Sequence, residues 1–558
     1  MKHLLPLVLC VLLLPALAGA QSWDVVWRMT DLPFQPPGEA SEMAIVKAGL
    51  DTDQDGWGEF LCAWTDTDTN AVCMYEATAD NTYELVWYWL LPTDANSFAG
   101  IAVGDLDNNG KVDIVVSMPM QLDNDPNPLR IWAFEWSGVQ GENAYGFPGA
   151  NPGEYTYTSG WNFDVADRFD IRPYSLTIED IDNDAFNELI VGVRQSTPST
   201  QREVLVVSIV GEFTGFHSWQ YEFEYRQTFG GGNYCTTTGD LDNDGDKEIY
   251  ALIWDLFTMR IWECVGDRLY LEVFGVDELY AGEGIDYGAL DGVRVADVNN
   301  DGQNEMYIAT TEDPNTLFIV TGVTDVSQMT SNDIKPFYTI PVLTDGGFRA
   351  MYIDDPDEDG LANLMIAGER EGRIFSLEYK GAGDPADSAS WDLQVLFDLW
   401  DYAGIAPDAP GAPTPRLFYG SPAGDMDGDG RDEYVFVNYS TNFANWGDDA
   451  YVWVIEIDVA ADVSDLPSGV PTRLALAQNY PNPFNPTTNI RYTLPERTHA
   501  TLKVYTTLGE EVATLVDEVQ EAGNRTVSFD GRGLASGVYL YRLSAAGMIE
   551  TRSMILIK

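Results

Sequence analysis

Histidine is almost missing from this chain: there are three in 558 residues, His3, His217 and His499. No multi-histidine metal site and no histidine-rich catalytic centre can be assembled from so few. Positive charge is scarce as well, with 30 Lys+Arg against 89 Asp+Glu and a formal charge of −59. Such a field repels phosphate backbones and anionic lipid surfaces, and nucleic-acid binding needs clustered Lys/Arg, so nucleic acid is excluded as a partner. Cysteine is limited to five residues. Beyond the amino-terminal segment, no stretch approaches the roughly 20 apolar residues of a membrane-crossing helix. What the chain does have is 45% hydrophobic and 12% aromatic residues, enough to bury a sizeable core and unlike a disordered acidic chain. Its length gives three or four domains at about 150 residues each, unless an internal repeat overrides that count.

The start reads as an export signal over residues 1–20. Met1-Lys2-His3 is a short basic region, Leu4 to Leu14 is apolar, and Ala18-Gly19-Ala20 is a small-residue cleavage site before Gln21. Cys10 lies inside the apolar run without the small residues of a lipoprotein site, so it belongs to the discarded segment. Four cysteines remain, and an oxidising compartment permits disulfides. Cys62 and Cys73 are symmetric about the polar turn from Thr65 to Asn70. Both a disulfide across a hairpin and two small buried side chains are compatible with that placement. Nothing in the spacing pairs Cys235 with Cys264.

One nine-residue pattern occurs seven times, starting at Asp51 (DTDQDGWGE), Asp105 (DLDNNGKVD), Asp180 (DIDNDAFNE), Asp240 (DLDNDGDKE), Asp297 (DVNNDGQNE), Asp355 (DPDEDGLAN) and Asp425 (DMDGDGRDE). Side-chain oxygens recur at positions 1, 3, 5 and 9, and position 6 is usually glycine, where a tight turn needs positive φ. Oxygens converging on one point, with a backbone carbonyl from position 7, suit Ca²⁺, which takes 6–8 oxygen ligands in flexible geometry, better than the tight octahedron of Mg²⁺. The candidate ligand set is therefore Asp51, Asp53, Asp55, Trp57 and Glu59; Asp105, Asp107, Asn109, Lys111 and Asp113; Asp180, Asp182, Asp184, Phe186 and Glu188; Asp240, Asp242, Asp244, Asp246 and Glu248; Asp297, Asn299, Asp301, Gln303 and Glu305; Asp355, Asp357, Asp359, Leu361 and Asn363; and Asp425, Asp427, Asp429, Arg431 and Glu433. So many like charges repel strongly unless cations sit among them, so metal binding also accounts for the composition. These are not EF-hands, which carry a bidentate Glu at position 12 followed by a helix; here position 12 is apolar or small throughout, from Cys62 to Phe436.

Short apolar runs follow each loop, such as Asp113 to Met118, Glu188 to Val193 and Glu433 to Val437, and others precede it, such as Gly100 to Gly104 and Val293 to Ala296. Each loop is thus the turn of a β-hairpin. Two further strands follow, for instance Leu129 to Trp136 and Tyr155 to Trp161, or Arg373 to Tyr379 and Trp391 to Leu399. Four strands about every 60 residues, seven times over, predict a seven-bladed β-propeller. The last repeat supplies three strands, ending at Tyr451 to Ile457, and an unassigned strand, Trp23 to Arg28, is expected to complete its blade and lock the ring.

The repeats resemble the FG-GAP/VCBS family of calcium-loop β-propellers, also seen in integrin α subunits, over about residues 22–462. The resemblance implies one structural Ca²⁺ per loop, up to seven, on the positions above. Departures are Asn109 and Asn299 for Asp, Ala185 for Gly, and Asp113 and Asn363 for the terminal Glu; the loop at Asp355 departs furthest, through Asn363 and Pro356.

The expected domains are the propeller at 21–462, a linker at 463–471 and a small Ig-like β-sandwich at 472–558, built on alternating strands such as Asn489 to Leu494 and Ala500 to Tyr505. This module closely resembles the type IX secretion C-terminal sorting domain of Bacteroidetes-related bacteria. The resemblance rests on YPNPFNP at Tyr480 to Pro486, the L-G-x-x-V at Leu508, SGVYLYRL from Ser536 and the closing apolar-Lys strand. It implies contact with the type IX machinery, export through the outer membrane, and a secreted or cell-surface location.

No catalytic constellation emerges. His217 reads as a surface or packing residue, and Gly230 to Gly232 lacks the Lys-Ser/Thr of a phosphate cradle. The 16 Trp and 28 Tyr read as blade cores more than as sugar-stacking platforms. The leading expectation is a noncatalytic binding or adhesion protein whose partner is a protein or a glycan. The alternative is an extracellular polysaccharide-degrading enzyme of lyase type on a calcium-bearing propeller, and a central groove with clustered Arg/Lys and Tyr would favour it over the binder.

Overall fold

A computed structural model of the chain describes residues 22–29, 42–65, 70–91, 99–118, 129–149, 155–163, 171–196, 201–227, 232–253, 257–277, 279, 292–310, 315–343, 347–368, 370–407, 409, 412, 414–417, 419–438, 452–458, 475–476, 484, 486–494, 497–506, 511–520, 523–545 and 548–556. The export segment 1–20, the linker 463–471, His3, Gly230 and Gly231, and most of the YPNPFNP segment lie outside them. Two compact units divide at Val459 and Ala460. Among the described residues, no helix is long and apolar enough to cross a membrane.

The first unit is built of antiparallel sheets. Seven have four strands, and in each the first hairpin carries one acidic loop at its turn. Sheet one runs Glu42–Leu50, Glu59–Thr65, Asn70–Ala79 and Thr82–Leu90; sheet two Gly100–Gly104, Asp113–Ser117, Ile131–Glu135 and Ser159–Trp161. Sheet three runs Arg172–Glu179, Glu188–Ser196, Gln201–Gly211 and His217–Gln227; sheet four Asn233–Gly239, Glu248–Ile253, Thr258–Cys264 and Tyr270–Val276. Sheet five runs Val293–Ala296, Glu305–Ile308, Thr316–Val320 and Lys335–Thr339; sheet six Phe348–Asp354, Asn363–Gly368, Arg373–Tyr379 and Trp391–Asp398. Sheet seven takes Tyr419–Gly424, Glu433–Val437 and Val452–Asp458 from its own repeat, and its fourth strand is Ser22–Met29 from the amino terminus, antiparallel to Val452–Asp458. One expected strand is broken: Tyr155 to Trp161 resolves into Tyr155–Thr156 and Ser159–Trp161, and the first piece pairs with Phe147–Pro148 instead.

Burial falls from the inner strands outward. The second strands of sheets two, four, five, six and seven are buried at every position, which is why they read as unbroken apolar runs. Fourth strands such as Thr82–Leu90 mix buried and exposed residues. Large aromatics fill the seams between sheets. Trp87 of sheet one meets Phe134 and Tyr145 of the second repeat at 5.4 and 5.8 Å. Trp27 of the amino-terminal strand meets Phe60, Tyr75 and Tyr83 of sheet one at 6.0, 5.5 and 5.5 Å.

The first strand of each sheet lies against the first strand of the next in chain order, and the first strand of sheet seven lies against that of sheet one. All seven contribute to one cavity, with Ile45, Ile101, Tyr174, Tyr234, Arg294, Tyr352 and Tyr419 each coming from a different sheet. Cys62 stands directly opposite Cys73 in the sheet-one hairpin, and these two, Cys235 and Cys264 are all buried.

The second unit has a three-stranded sheet, Ala475–Leu476, Thr487–Leu494 and Gly523–Asp530, and a four-stranded sheet in the order Glu511–Gln520, Thr498–Thr506, Gly537–Ala545 and Met548–Leu556. They share one core that includes Ile490, Tyr492, Leu502, Val504, Tyr541 and Met554.

Candidate metal centres

Each acidic loop is organised by its own backbone. The N–H of position 6 donates to the position-1 carboxylate in all seven loops, at 2.7 to 3.4 Å. The position-7 N–H of Trp57, Lys111, Phe186, Asp246, Gln303, Leu361 and Arg431 donates to the position-5 side chain, at 2.7 to 2.9 Å. Such Asx-type bonds curl the chain so that alternate side chains point inward. The curl needs positive φ at position 6, from 72° at Ala185 to 96° at Gly56. It also needs positive φ at position 4, at Gln54, Asn108, Asn183, Asn243, Asn300, Glu358 and Gly428. The second requirement was legible in the four asparagines there, since Asn tolerates the left-handed region better than most residues.

Position 9 opens the second strand and reaches back. Glu59, Asp113, Glu188, Glu248, Glu305 and Glu433 each accept the backbone N–H of position 2, at 2.7 to 3.1 Å. That bond uses one carboxylate oxygen. The other oxygen of Glu59, Asp113, Glu248 and Glu433 is buried with no hydrogen-bond partner, as is one oxygen each of Asp53, Asp107, Asp240 and Asp242. Ligand oxygens of Asp425, Asp427, Asp429 and Glu433 lie within 4.8 Å of one another, and so do those of Asp51, Asp53 and Glu59, of Asp105, Asp107 and Asp113, and of Asp180, Asp182 and Glu188. Asn299 departs from this pattern by turning its amide nitrogen to Asp301 and Glu305, at 3.0 and 3.2 Å.

Burial, reinforced by neighbouring carboxylates, pushes the position-9 groups far above the ordinary range: Glu59 and Glu248 to about 8, Glu188 and Glu433 to about 9, and Glu305 to about 7. Buried, mutually repelling carboxylates with unpartnered oxygens are unfavourable by themselves. A hard cation removes the repulsion and takes up the orphan oxygens, so the residues fit such an ion.

The sequence reading missed a further acid in five sheets. The third strand places Glu76 opposite Glu59, Glu135 opposite Asp113, Glu263 opposite Glu248, Glu378 opposite Asn363 and Glu456 opposite Glu433. Glu76 joins Asp53 and Asp55 in a cluster of its own. Two of these acids meet a cation from position 7: Lys111 lies 2.5 Å from Glu135, and Arg431 pairs with Glu456. Their signal was a lone Glu inside an apolar strand, as in Trp132-Ala-Phe-Glu135-Trp136.

The loops are also tied between sheets. Asp107, Asp182, Asp242 and Asp427 accept backbone N–H groups from Phe213, Arg268, Val326 and Asn81 of the following sheet's repeat, at 2.6 to 3.0 Å. The last of these joins the seventh loop to the first repeat. Position 8 answers in the other direction: Asn187 donates to the Asp105 carbonyl at 2.7 Å, Lys247 to that of Asp180 at 3.0 Å, and the Gly58 N–H to that of Met426 at 2.8 Å.

His217 opens the fourth strand of sheet three. Its Nε2 lies 2.7 Å from Ser159 Oγ, which also accepts the Trp219 indole N–H, and its Nδ1 faces the Gly215 carbonyl.

The family description "FG-GAP-like repeat" matches residues 51–116, and "Secretion system C-terminal sorting domain" matches 478–558. No curated protein matches the chain. Among solved structures, PorZ, an essential bacterial surface component of the type IX secretion system of Porphyromonas gingivalis, is similar at 13% identity with a TM-score of 0.36, over 95% of this chain and 61% of its own. The S. cerevisiae core factor is similar at 11% identity with a TM-score of 0.39, over 80% of this chain and 62% of its own. The chain spans less than two thirds of the length of either. It carries an FG-GAP-like repeat and a type IX secretion C-terminal sorting domain, and that domain directs it to the cell surface or the extracellular space.

Proposed function

We propose that this chain is an exported, noncatalytic binding protein: a seven-bladed β-propeller stabilised by up to seven structural Ca²⁺ ions and delivered by the type IX machinery. One observation carries it. In six loops a position-9 carboxylate spends one oxygen on the backbone N–H of position 2, and in four of those loops the other oxygen is left buried and without a partner. The acids are thereby engaged in the turns, which supports a structural, metal-holding role for them over acid–base catalysis. Succession of the first strands from sheet to sheet, with sheet seven against sheet one, supports the propeller. The amino-terminal fourth strand of sheet seven supports closure of the ring.

Calcium titration of the metal-free chain by calorimetry, with atomic emission to count bound ions, tests this reading. Several equivalents with a large rise in melting temperature are expected, and no bound calcium would overturn it.

The cavity of Tyr174, Tyr234, Tyr352, Tyr419, Lys47 and Arg294 favours a second reading, a polysaccharide lyase, because basic and phenolic groups suit acidic-sugar chemistry. Against it stands size: the cavity holds about 80 Å³, room for on the order of five waters, where a depolymerase needs a groove several sugars long. Appearance of the ultraviolet absorbance of an unsaturated uronate on incubation with polygalacturonate or alginate would replace the binder with the lyase.

A further inference from the structure

The nine residues of the first loop supply fewer oxygens than Ca²⁺ takes. Asp51, Asp53, Asp55 and Glu59 offer side-chain oxygens and Trp57 a backbone carbonyl, and Glu59 has already given one oxygen to the Thr52 N–H at 2.8 Å. One oxygen from each of these five residues falls below the 6–8 of a calcium site. Asp53 shows where a further ligand stands. It is 0% exposed, and its Oδ2 has no hydrogen-bond partner among the described residues. A ligand oxygen of Asp53 lies within 4.8 Å of those of Asp51 and Glu59, and likewise within 4.8 Å of those of Asp55 and Glu76. Asp53 therefore faces both the loop and the third strand.

Glu76 is half-buried between the buried Tyr75 and Ala77, a costly place for a carboxylate unless something holds its charge. Asn143 Nδ2 donates to its Oε1 at 2.7 Å. The Asn143 side-chain oxygen accepts the Tyr145 hydroxyl at 3.3 Å, and that hydroxyl is hydrogen-bonded to Thr52 Oγ1 in the loop itself. The Gly141 N–H donates to the Asp53 carbonyl at 3.1 Å. Residues 141–145, which follow the third strand of sheet two, thus hold Glu76 and the loop in one assembly. A neutral amide donor orients the carboxylate and leaves its charge in place.

We infer that Glu76 is a ligand of the cation in the first loop, supplied by the third strand from outside the nine-residue pattern. The equivalent acids of two other loops show the alternative. In loop two, Glu135 gives Oε1 to Lys111 Nζ at 2.5 Å and Oε2 to Asn109 Nδ2 at 2.6 Å. In loop seven, Glu456 pairs with Arg431. Both of those cations are position-7 side chains, and the first loop has Trp57 there. The chain's own positive charge meets the third-strand acid in loops two and seven, and a metal ion meets it in loop one. The inference adds a ligand to the metal sites proposed above and rests on that reading.

The test uses the full chain and terbium, a hard trivalent ion that takes oxygen ligands as Ca²⁺ does and emits when a neighbouring tryptophan is excited. Among the seven loops only the first has tryptophan at position 7, so the emission that Trp57→Phe abolishes reports that loop. It is expected to saturate on titration. Glu76→Gln, which keeps an acceptor for Asn143, is expected to raise the half-saturating concentration about tenfold. Emission lifetimes in light and heavy water count the waters on the ion, and Glu76→Ala is expected to add about one. Loss of a whole calcium equivalent in Glu76→Gln by calorimetry would also support the ligand, and would place it on a second ion shared through Asp53. No emission that depends on Trp57, unchanged half-saturation in Glu76→Gln, or an unchanged water count in Glu76→Ala overturns the inference, and calcium bound at the other loops then leaves the wider reading standing. A parent chain that binds neither terbium nor Ca²⁺ overturns both.

Discussion

Pro356 and Asn363 occupy, in the sixth loop, the two positions that a hydrogen bond joins in each of the other six loops. Thr52 donates its N–H to Glu59 at 2.8 Å, and the same bond recurs from Met426 to Glu433 at 2.7 Å. Proline has no N–H to offer. Asn363 brings no charge and turns its amide nitrogen to Ser376 Oγ at 2.8 Å. The rest of that loop is kept, with Gly360 donating to Asp355 and Leu361 to Asp359.

The sixth loop is therefore expected to contribute least to calcium-dependent stability. A loop holding calcium at ten times its Kd adds about 1.4 kcal/mol. Glu433→Gln should lower the calcium-loaded stability by about 2 kcal/mol and narrow the gap between melting temperatures in calcium and in EDTA. Asn363→Ala should lower both temperatures alike and leave that gap unchanged. Differential scanning calorimetry of the two variants in both buffers decides; a wider gap in Glu433→Gln would count against the metal site.

The pH dependence of the metal-free chain follows from the raised carboxyls. Glu59, Glu188, Glu248, Glu305 and Glu433 titrate between about 7 and 9 when folded, against an ordinary value of 4.5. Between those limits the folded chain holds protons that the unfolded chain has released, so stability falls as pH rises. In EDTA the melting temperature should decline from pH 5 to pH 9. In calcium the increment over EDTA should grow across the same range, because the ion needs deprotonated ligands. A metal-free melting temperature that rises with pH would contradict the assignment.

Gly58 lies where the first loop meets the seventh. A Cβ there would stand 2.6 Å from Met426 Cβ and 2.7 Å from its Cα, while the Gly58 N–H bonds the Met426 carbonyl. Gly58→Ala should destabilise by about 1–3 kcal/mol with or without calcium. Gly110 has open space around it but φ of 88°, so Gly110→Ala should cost only about 1 kcal/mol. Urea unfolding of both variants orders them, and equal stability of Gly58→Ala and the parent chain would remove the seam contact from the account.

Removing residues 478–558, the span matched by the sorting domain, should leave the first unit folded and trapped in the periplasm. Fractionation of cells producing the full and shortened chains, with calcium-dependent melting of the shortened chain, measures both outcomes. Surface display of the shortened chain would show that export does not depend on this domain.

Much of the site was legible because its requirements are local. Oxygens at alternate positions, a glycine or alanine at position 6 and an apolar run after position 9 are conditions on nine consecutive residues, and they placed the loops and their flanking strands. The amino-terminal strand was legible because sheet seven lacked a fourth strand in its own repeat. The acids at Glu76, Glu135, Glu263, Glu378 and Glu456 were not found, because their meaning depends on the residue facing them across a strand pair.

By itself, then, the order of residues determined the hairpin turns, the seven repeats and the sorting domain, since spacing and backbone torsion act within a few residues. Tertiary structure alone decided which carboxylate oxygens end without partners, how each loop is tied to the next sheet, and that tyrosines and an arginine from strands as far apart as Tyr174 and Tyr419 share one cavity. Those outcomes depend on which strands lie side by side, and contacts between residues hundreds of positions apart leave no mark in the local pattern.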